Sequence, residues 1–237
     1  MAADFVRELL GFAGSKPNTA DGSSSQSVEL AAAVLEVLGV THQTSGGQPG
    51  GARLEHGVAD YLSTSLPAAD PSRPWLVKLG GKVSDFQQYA HLAGLDRLVK
   101  NDPSLRVEIG QDYMITPDVT VGLDVATPPI LHAAISCKFT IRSDRVQNIR
   151  HEAVGLIRHR RGRQPHIVTV TSEPLPTRLA AICRGTGEVD AVYHVCLTEL
   201  SEVTERIGND DQRQALREAV GQRRLFDLHE LVAHLTV

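Results

Sequence analysis

Cysteine is scarce and scattered. Cys137, Cys183 and Cys196 are odd in number and none stands in a CxxC pair, which excludes a disulfide framework or a cysteine zinc site and points to a reducing compartment. Aromatic residues make up 4% of the chain, so the core has to be built from Val, Leu, Ile and Ala. No apolar run approaches the ~18 to 20 residues that a membrane-spanning helix needs. The N-terminal MAADFVRELLGFAG has neither the basic start nor the long apolar stretch of a secretory signal. Together these features predict a cytoplasmic protein. A strong net charge is missing too. The balance is −4, which taken alone argues weakly against a nucleic-acid partner. What remains is ordinary for a globular protein: 41% hydrophobic, 22% charged, and 237 residues, enough for one α/β domain or two small ones.

The distribution of charge says more than its sum. From Lys138 to Arg163 stand eight basic residues (Lys138, Arg142, Arg145, Arg150, Arg158, Arg160, Arg161 and Arg163) against two acids, Asp144 and Glu152, so the local net is eight minus two, or +6. Acids gather elsewhere, as in residues 199–211. A basic helix can be no more than a solvated face. This one opens on Arg142-Ser143-Asp144-Arg145. The paired donors of arginine match O6 and N7 of guanine, and aspartate accepts from the N4 amino group of cytosine. A segment carrying both at the start of a helix can read G·C pairs in a major groove.

Along the chain, helices are expected over residues 4–12, 28–38, 53–66 and 84–100, with Ser27 and Ser84 as caps for the second and fourth and Gly39 closing the second. Residues 15–27 and 44–51 read as Gly/Ser-rich loops, and 67–74 as a proline-punctuated link. The pattern then changes. Residues 105–109, 118–125 and 131–139 carry strand signals. A long helix over 143–161, closed by Gly162, comes next. Residues 167–171 (IVTVT) fit a fully buried strand, 175–182 a helix and 191–197 a further strand, with two or three short helices to finish. Strands alternating with helices predict an α/β fold, a central mixed sheet flanked by helices on both faces. The expected organisation is a single domain over 1–237: a helical part to about residue 100, a sheet core to about 200, and closing helices.

One constellation carries chemistry. Phosphodiester cleavage needs a metal to stabilise charge on phosphorus, acids to hold the metal, and a cation near the attacked phosphate. Asp118, in Thr116-Pro117-Asp118, falls near the start of one expected strand. Lys138 falls near the end of another, and adjacent strands bring such ends together. Two residues before the lysine stands Ser136, where the common nuclease pattern has an acid. Glu152, fourteen residues beyond Lys138, lies about two and a half turns into the expected helix and can replace it if that helix folds back over the sheet. Cys137 points to the opposite strand face from Ser136 and Lys138 and reads as core.

The arrangement of Pro117-Asp118, Ser136-Cys137-Lys138 and Glu152 resembles the PD-(D/E)XK nuclease superfamily, with its restriction-endonuclease-like fold. More narrowly, it is similar to the NgoMIV-like group of type II restriction endonucleases that cut around a CCGG core. In that group the acid moves from the strand to the following helix, so Ser136 is expected. The similarity extends over most of the chain and is strongest over 135–200, including PHIVTVTSEPLPTRLA and GTGEVDAVYH, with GARLEH near the N-terminus. The resemblance implies Mg²⁺ held by Asp118 and Glu152 with Glu55 assisting, and the Cys137 backbone carbonyl as a further metal ligand. It implies Lys138 at the attacking water and Ser136 in support. Arg142, Asp144 and Arg145 would read the inner CCGG. Arg178 would contact the outer guanine, and Asp21 and Gln48 the outer pair or the minor groove. The implied site is GCCGGC, cut after the first G to leave 5′ CCGG overhangs. Only twenty residues separate Asp118 from Lys138, where the tetrameric members carry a long insertion, so a homodimer on double-stranded DNA is expected, with a cognate DNA methyltransferase in the same cell.

Three other functions compete. A repair or structure-selective nuclease of the same superfamily would not need the Arg-Ser-Asp-Arg run. A DNA-binding protein without catalysis would have no use for Asp118, Lys138 and Glu152 together. A metal enzyme of small molecules would leave the basic run unexplained.

Overall fold

The computed structural model describes residues 2–44, 48–102, 104–105, 107, 114–141, 143–185 and 187–237. Six strands form its central sheet: β3 (Trp75–Leu79), β4 (Val119–Leu123), β5 (Ile130–Lys138), β6 (His166–Thr171), β7 (Ala191–His194) and β8 (Leu225–Asp227), in that spatial order. The first three are antiparallel and the rest join in parallel. A small hairpin, β1 (Phe12–Ala13) with β2 (Lys16–Pro17), stands apart. The helices are α1 (Ala2–Leu9), α2 (Ser25–Leu38), α3 (Gln48–Ala69), α4 (Ala90–Asn101), α5 (Ser143–His159), α6 (Pro176–Cys183), α7 (Leu197–Ile207), α8 (Asp210–Gly221) and α9 (Glu230–Thr236). The expected mixed sheet with helices on both faces is what the chain forms.

The central strands owe their places to continuous apolar runs. All of β4 and β7, and β6 after His166, are buried, as strands covered on both faces must be. In β5 the period of two divides Ala134, Ser136 and Lys138 from Ile135 and Cys137. The even face meets Ile149, Glu152, Ala153 and Leu156 of α5 across a cavity of about 20 Å³. On the odd face, Phe139 lies against Gly50 of α3, where an added Cβ would come within 2.8 Å of the ring. α3 and α5 therefore sandwich the end of β5.

Several boundaries depart from the sequence expectation. α3 begins before residue 53 and runs through Pro67. Leu62 and Leu66, both 0% exposed, bind its last turns to the core, where a proline near the end disturbs few bonds. Ser84 caps nothing. Residues 83–85 and 87–89 make two 3₁₀ turns, and α4 starts at Ala90. This tighter winding buries the rings of Phe86 and Tyr89, and the Tyr89 hydroxyl donates to the Leu156 carbonyl at 2.9 Å. The N-cap of α2 is Ser24, three residues ahead of Ser27, while Gly39 ends the helix at φ 68° as expected. The strand expected over 105–109 is not formed by its described members. Leu105 and Val107 are helical, and Val107 is 85% exposed, so no sheet face waits for it. Arg106, Glu108 and Ile109 lie outside the described residues. Two strands of the central sheet went unforeseen, β3 and β8, as did the small β1–β2 hairpin. β3 is half exposed with no alternation, and only its pairing with β4 reveals it.

Candidate active site

The end of β5 and the start of β4 bring the key pair together. The ladder pairs Val119 with Ile135, so Asp118 comes next to Ser136–Lys138 one step beyond it. Its backbone carbonyl accepts from Gly80 N at 3.0 Å, holding it against the end of β3. Asp118 Oδ2 accepts from Lys138 Nζ and from Cys137 N, each at 2.7 Å. Both side chains are about a quarter exposed, so the pair sits at the ends of two interior strands, partly open to water.

Two glutamates approach this pair from opposite faces. Glu55 rises from α3, half-buried, and its carboxyl is pushed up from its ordinary value, first by burial and then by the charge of Asp118, with Lys138 opposing. Glu152 comes from α5 and lines the small cavity with Ser136 and Pro117. Although the residue as a whole keeps exposed surface, its carboxyl is likewise raised by burial, with Lys138 lowering it and Asp118 raising it. Burial thus dominates at the carboxylate end. Ser136 Oγ is buried in that cavity without a hydrogen-bond partner among the described residues. Cys137 is 3% exposed, and burial drives its thiol far up from its usual range, so it is core.

Three carboxylates around one ammonium is an unbalanced charge set, and all-oxygen donors suit a hard divalent cation. Among the described residues, no three of His, Cys, Asp and Glu converge closely enough to hold a metal as they stand. Lys138 Nζ and Cys137 N both bond one Asp118 oxygen, Oδ2. The donor set fits a hard divalent cation in chemistry, and the carboxylates would have to converge further to close on one.

The reading residues divide. Arg142 lies outside the described residues. Asp144 and Arg145 stand on the first turn of α5 and Gln48 opens α3, and the placement of these three side chains is likewise outside the description. Asp21 and Arg178, expected separately, are bonded to each other. Arg178 Nη2 donates to Asp21 Oδ2 at 2.6 Å, and Arg178 holds the Asp21 carboxyl well below the usual carboxylate range. Arg178 is on α6 and partly exposed, not a free surface arginine. Sequence reasoning passed over Glu173, which is 0% exposed beside Arg178. A Ser-Glu-Pro segment after a strand looks like a solvated turn.

A cavity of about 530 Å³ between α1 and α3 lies elsewhere. Its walls include Phe5, Tyr61 and Thr64 and none of the clustered acids. A phosphodiester in a duplex is reached from open solvent, so the geometry at β4 and β5 carries the chemical argument. No helix among the described residues is long and apolar enough to cross a membrane.

Comparison with known proteins bears on this site. A family model described as NgoMIV restriction enzyme matches residues 6–127 and 124–237. The chain is similar to the Type II restriction enzyme NgoMIV of Neisseria gonorrhoeae, with 34% identity over 256 residues, covering 93% of this chain and 90% of that one.

Proposed function

The chain belongs to the NgoMIV restriction enzyme family, and on that premise we propose that it cleaves double-stranded DNA at GCCGGC, after the first G, to leave 5′ CCGG overhangs. Membership makes it a restriction endonuclease, a hydrolase that cuts DNA site-specifically. The observation that carries the mechanism is the Asp118–Lys138 pair at 2.7 Å on adjacent strand ends, with Glu55 and Glu152 coupled to it from the two flanking helices.

In this reading Asp118, Glu152 and Glu55 hold Mg²⁺, with the Cys137 carbonyl as a further ligand. Mg²⁺ bound there supplies Lewis-acid stabilisation of the charge that develops on the scissile phosphate. Lys138 orients the attacking water and adds positive charge beside the phosphate. Asp118 aims Lys138 through their hydrogen bond. Ser136 Oγ, buried and with no hydrogen-bond partner among the described residues, is available to donate a supporting hydrogen bond at the site. Arg142, Asp144 and Arg145 read the inner CCGG, Arg178 the outer guanine, and Asp21 and Gln48 the outer pair or the minor groove.

A palindrome calls for a symmetric reader, which supports a homodimer. The twenty-residue interval from Asp118 to Lys138 leaves no room for a long insertion that could join two dimers. A single domain over 1–237 belongs to the same proposal and is supported by one apolar cluster running from Val6 to Leu235. A cytoplasmic location beside a cognate methyltransferase follows from the need to spare the host's own DNA.

A plasmid digest with Mg²⁺, followed by sequencing of the ends, tests this. The wild type should give discrete fragments with CCGG overhangs, and Lys138→Ala should give none while keeping its melting temperature. Cleavage without sequence preference would turn the assignment to a structure-selective nuclease, and tight binding in Ca²⁺ without cutting in Mg²⁺ to a binding module. Arg178→Ala should relax discrimination at the outer pair by about 10-fold or more, the scale of one arginine–guanine contact.

A further inference from the structure

The strand end that bears Lys138 continues through Phe139 and Ile141 directly into the Arg142–Arg145 run, and a second segment grips it. Ser172 Oγ donates to the Phe139 carbonyl at 2.6 Å. Glu173 Oε2 accepts from Ile141 N at 2.7 Å, and its Oε1 accepts from Leu175 N at 3.2 Å, just before α6. Arg178, on α6, donates through Nη1 to the Ile141 carbonyl at 3.2 Å, with the same nitrogen 3.7 Å from Glu173 Oε1. Ile141 is thus held by its N–H from Glu173 and by its C=O from Arg178. Arg178 in turn has a buried anchor, Glu173, and an accessible partner, Asp21.

We propose that Glu173 is a specificity-positioning residue, one buried carboxylate that sets the segment leading into the inner-base reading run and the guanidinium of the outer-base reader in a single frame. This rests on the reading of Arg178 as the outer-base contact. A brace for Ile141 N alone could be a neutral amide or a backbone carbonyl. A fully buried carboxylate is costly, and what it adds here is charge, which draws Arg178 toward Ile141 and limits the directions its fork can take. Losing that charge leaves Arg178 tied to the neutral Ile141 carbonyl and to Asp21, on a loop, with no buried anion to fix its fork, so the outer pair is read with less discrimination while cutting at the inner core persists.

The groups that face Glu173 among the described residues are Arg178, Asp21 and His194, whose Nε2 lies 3.1 Å from the Glu173 carbonyl. His194 Nδ1 accepts from Cys196 N, so Nε2 donates, and burial lowers this imidazole to about 4. Asp21 is held well below the usual range by Arg178. Glu173 is raised to about 7, chiefly by burial, and is the member of this group that changes charge near neutrality.

The test uses the full-length protein with Mg²⁺ and short duplexes that share CCGG and differ in the outer pair. The readout is the ratio of kcat/KM for GCCGGC to that for the altered sites, at about pH 8 and about pH 6. For the wild type the ratio should fall as pH drops. Glu173→Gln should lower the ratio about 10-fold at the higher pH and abolish its pH dependence. An unchanged ratio in folded Glu173→Gln overturns the proposal. If that variant does not fold, the wild type decides, and a ratio flat between the two pH values overturns it. Arg178→Ala separates the premise from the inference. A wild-type ratio in Arg178→Ala removes Arg178 as the outer reader, and the proposal with it. A relaxed ratio there beside an unchanged one in Glu173→Gln removes only the role of Glu173.

Discussion

Asp118 Oδ2 does two things with one atom, accepting from Lys138 Nζ and from Cys137 N at 2.7 Å each. Asp118→Asn keeps the shape, and its amide oxygen can still accept from Cys137 N, but it neither neutralises the ammonium nor supplies charge for a cation. Single-turnover cleavage should drop by about 10²-fold or more. The fold should be retained with stability lowered by about 1 to 3 kcal/mol, because the pair is only about a quarter exposed and a hydrogen bond to a charged group contributes about that much. A variant that cuts at full rate would remove Asp118 from the chemistry. At this scale the sequence was legible where a role lies in one short segment. Ser136, Cys137 and Lys138 declare their faces by strand alternation alone. Glu173 was not legible, since nothing in Ser-Glu-Pro distinguishes a buried acid from a solvated one, and its role depends on Ile141 and Arg178 reaching it from other elements.

Gly50 shows how a helix sets the site. It lies in the first turn of α3, and an added Cβ would meet the Phe139 ring at 2.8 Å, one residue past Lys138. Gly50→Ala should therefore push α3 off the end of β5 and carry Glu55 outward with it. Overpacking of this kind costs about 1 to 3 kcal/mol, visible as a lowered melting temperature, and kcat should fall about 10-fold through Glu55. A full cutting rate with reduced stability would mean that the seat of Glu55 does not need this contact. Elements with strong local signals were foreseen: α2 with its terminal Gly39, β6 and α5. Elements whose existence depends on a partner were not. β3 is a strand because β4 offers Val119–Leu123 as a ladder, and the 3₁₀ turns before α4 exist because Phe86 and Tyr89 have a core to enter.

For the whole molecule, buried titratable groups couple folding to pH. Burial lowers His132 and His194 to about 4 each. The fold prefers their neutral forms, so the stability they carry is present above the ordinary histidine value and is lost as pH falls toward about 4, by about 3 kcal/mol each in full. Glu173 has the opposite sign. Raised to about 7, it favours the fold when protonated, so its share is complete below the ordinary glutamate value and is lost as pH rises through about 7. The wild type should lose stability in acid, and Glu173→Gln should lose it more steeply, by about 3 kcal/mol between pH 8 and the ordinary glutamate value. Denaturant unfolding across that range checks it, and parallel curves for the two proteins would show that Glu173 does not titrate between these limits. Sedimentation of the free protein tests assembly. A dimer is expected, and a stable tetramer would show that the short interval between Asp118 and Lys138 does not set the assembly. The sequence by itself determined the fold class, Asp118 at the head of one strand and Lys138 at the end of another, and the basic run with its arginines and aspartate, because period-two alternation and local charge are written in neighbouring residues. Only the tertiary structure decided that Glu55 and Glu152 approach from opposite faces, that Asp21 meets Arg178, and that Glu173 is buried between reader and strand. Those facts depend on contacts between residues far apart in the chain, and on the burial and charge coupling that arise once packing has closed around them.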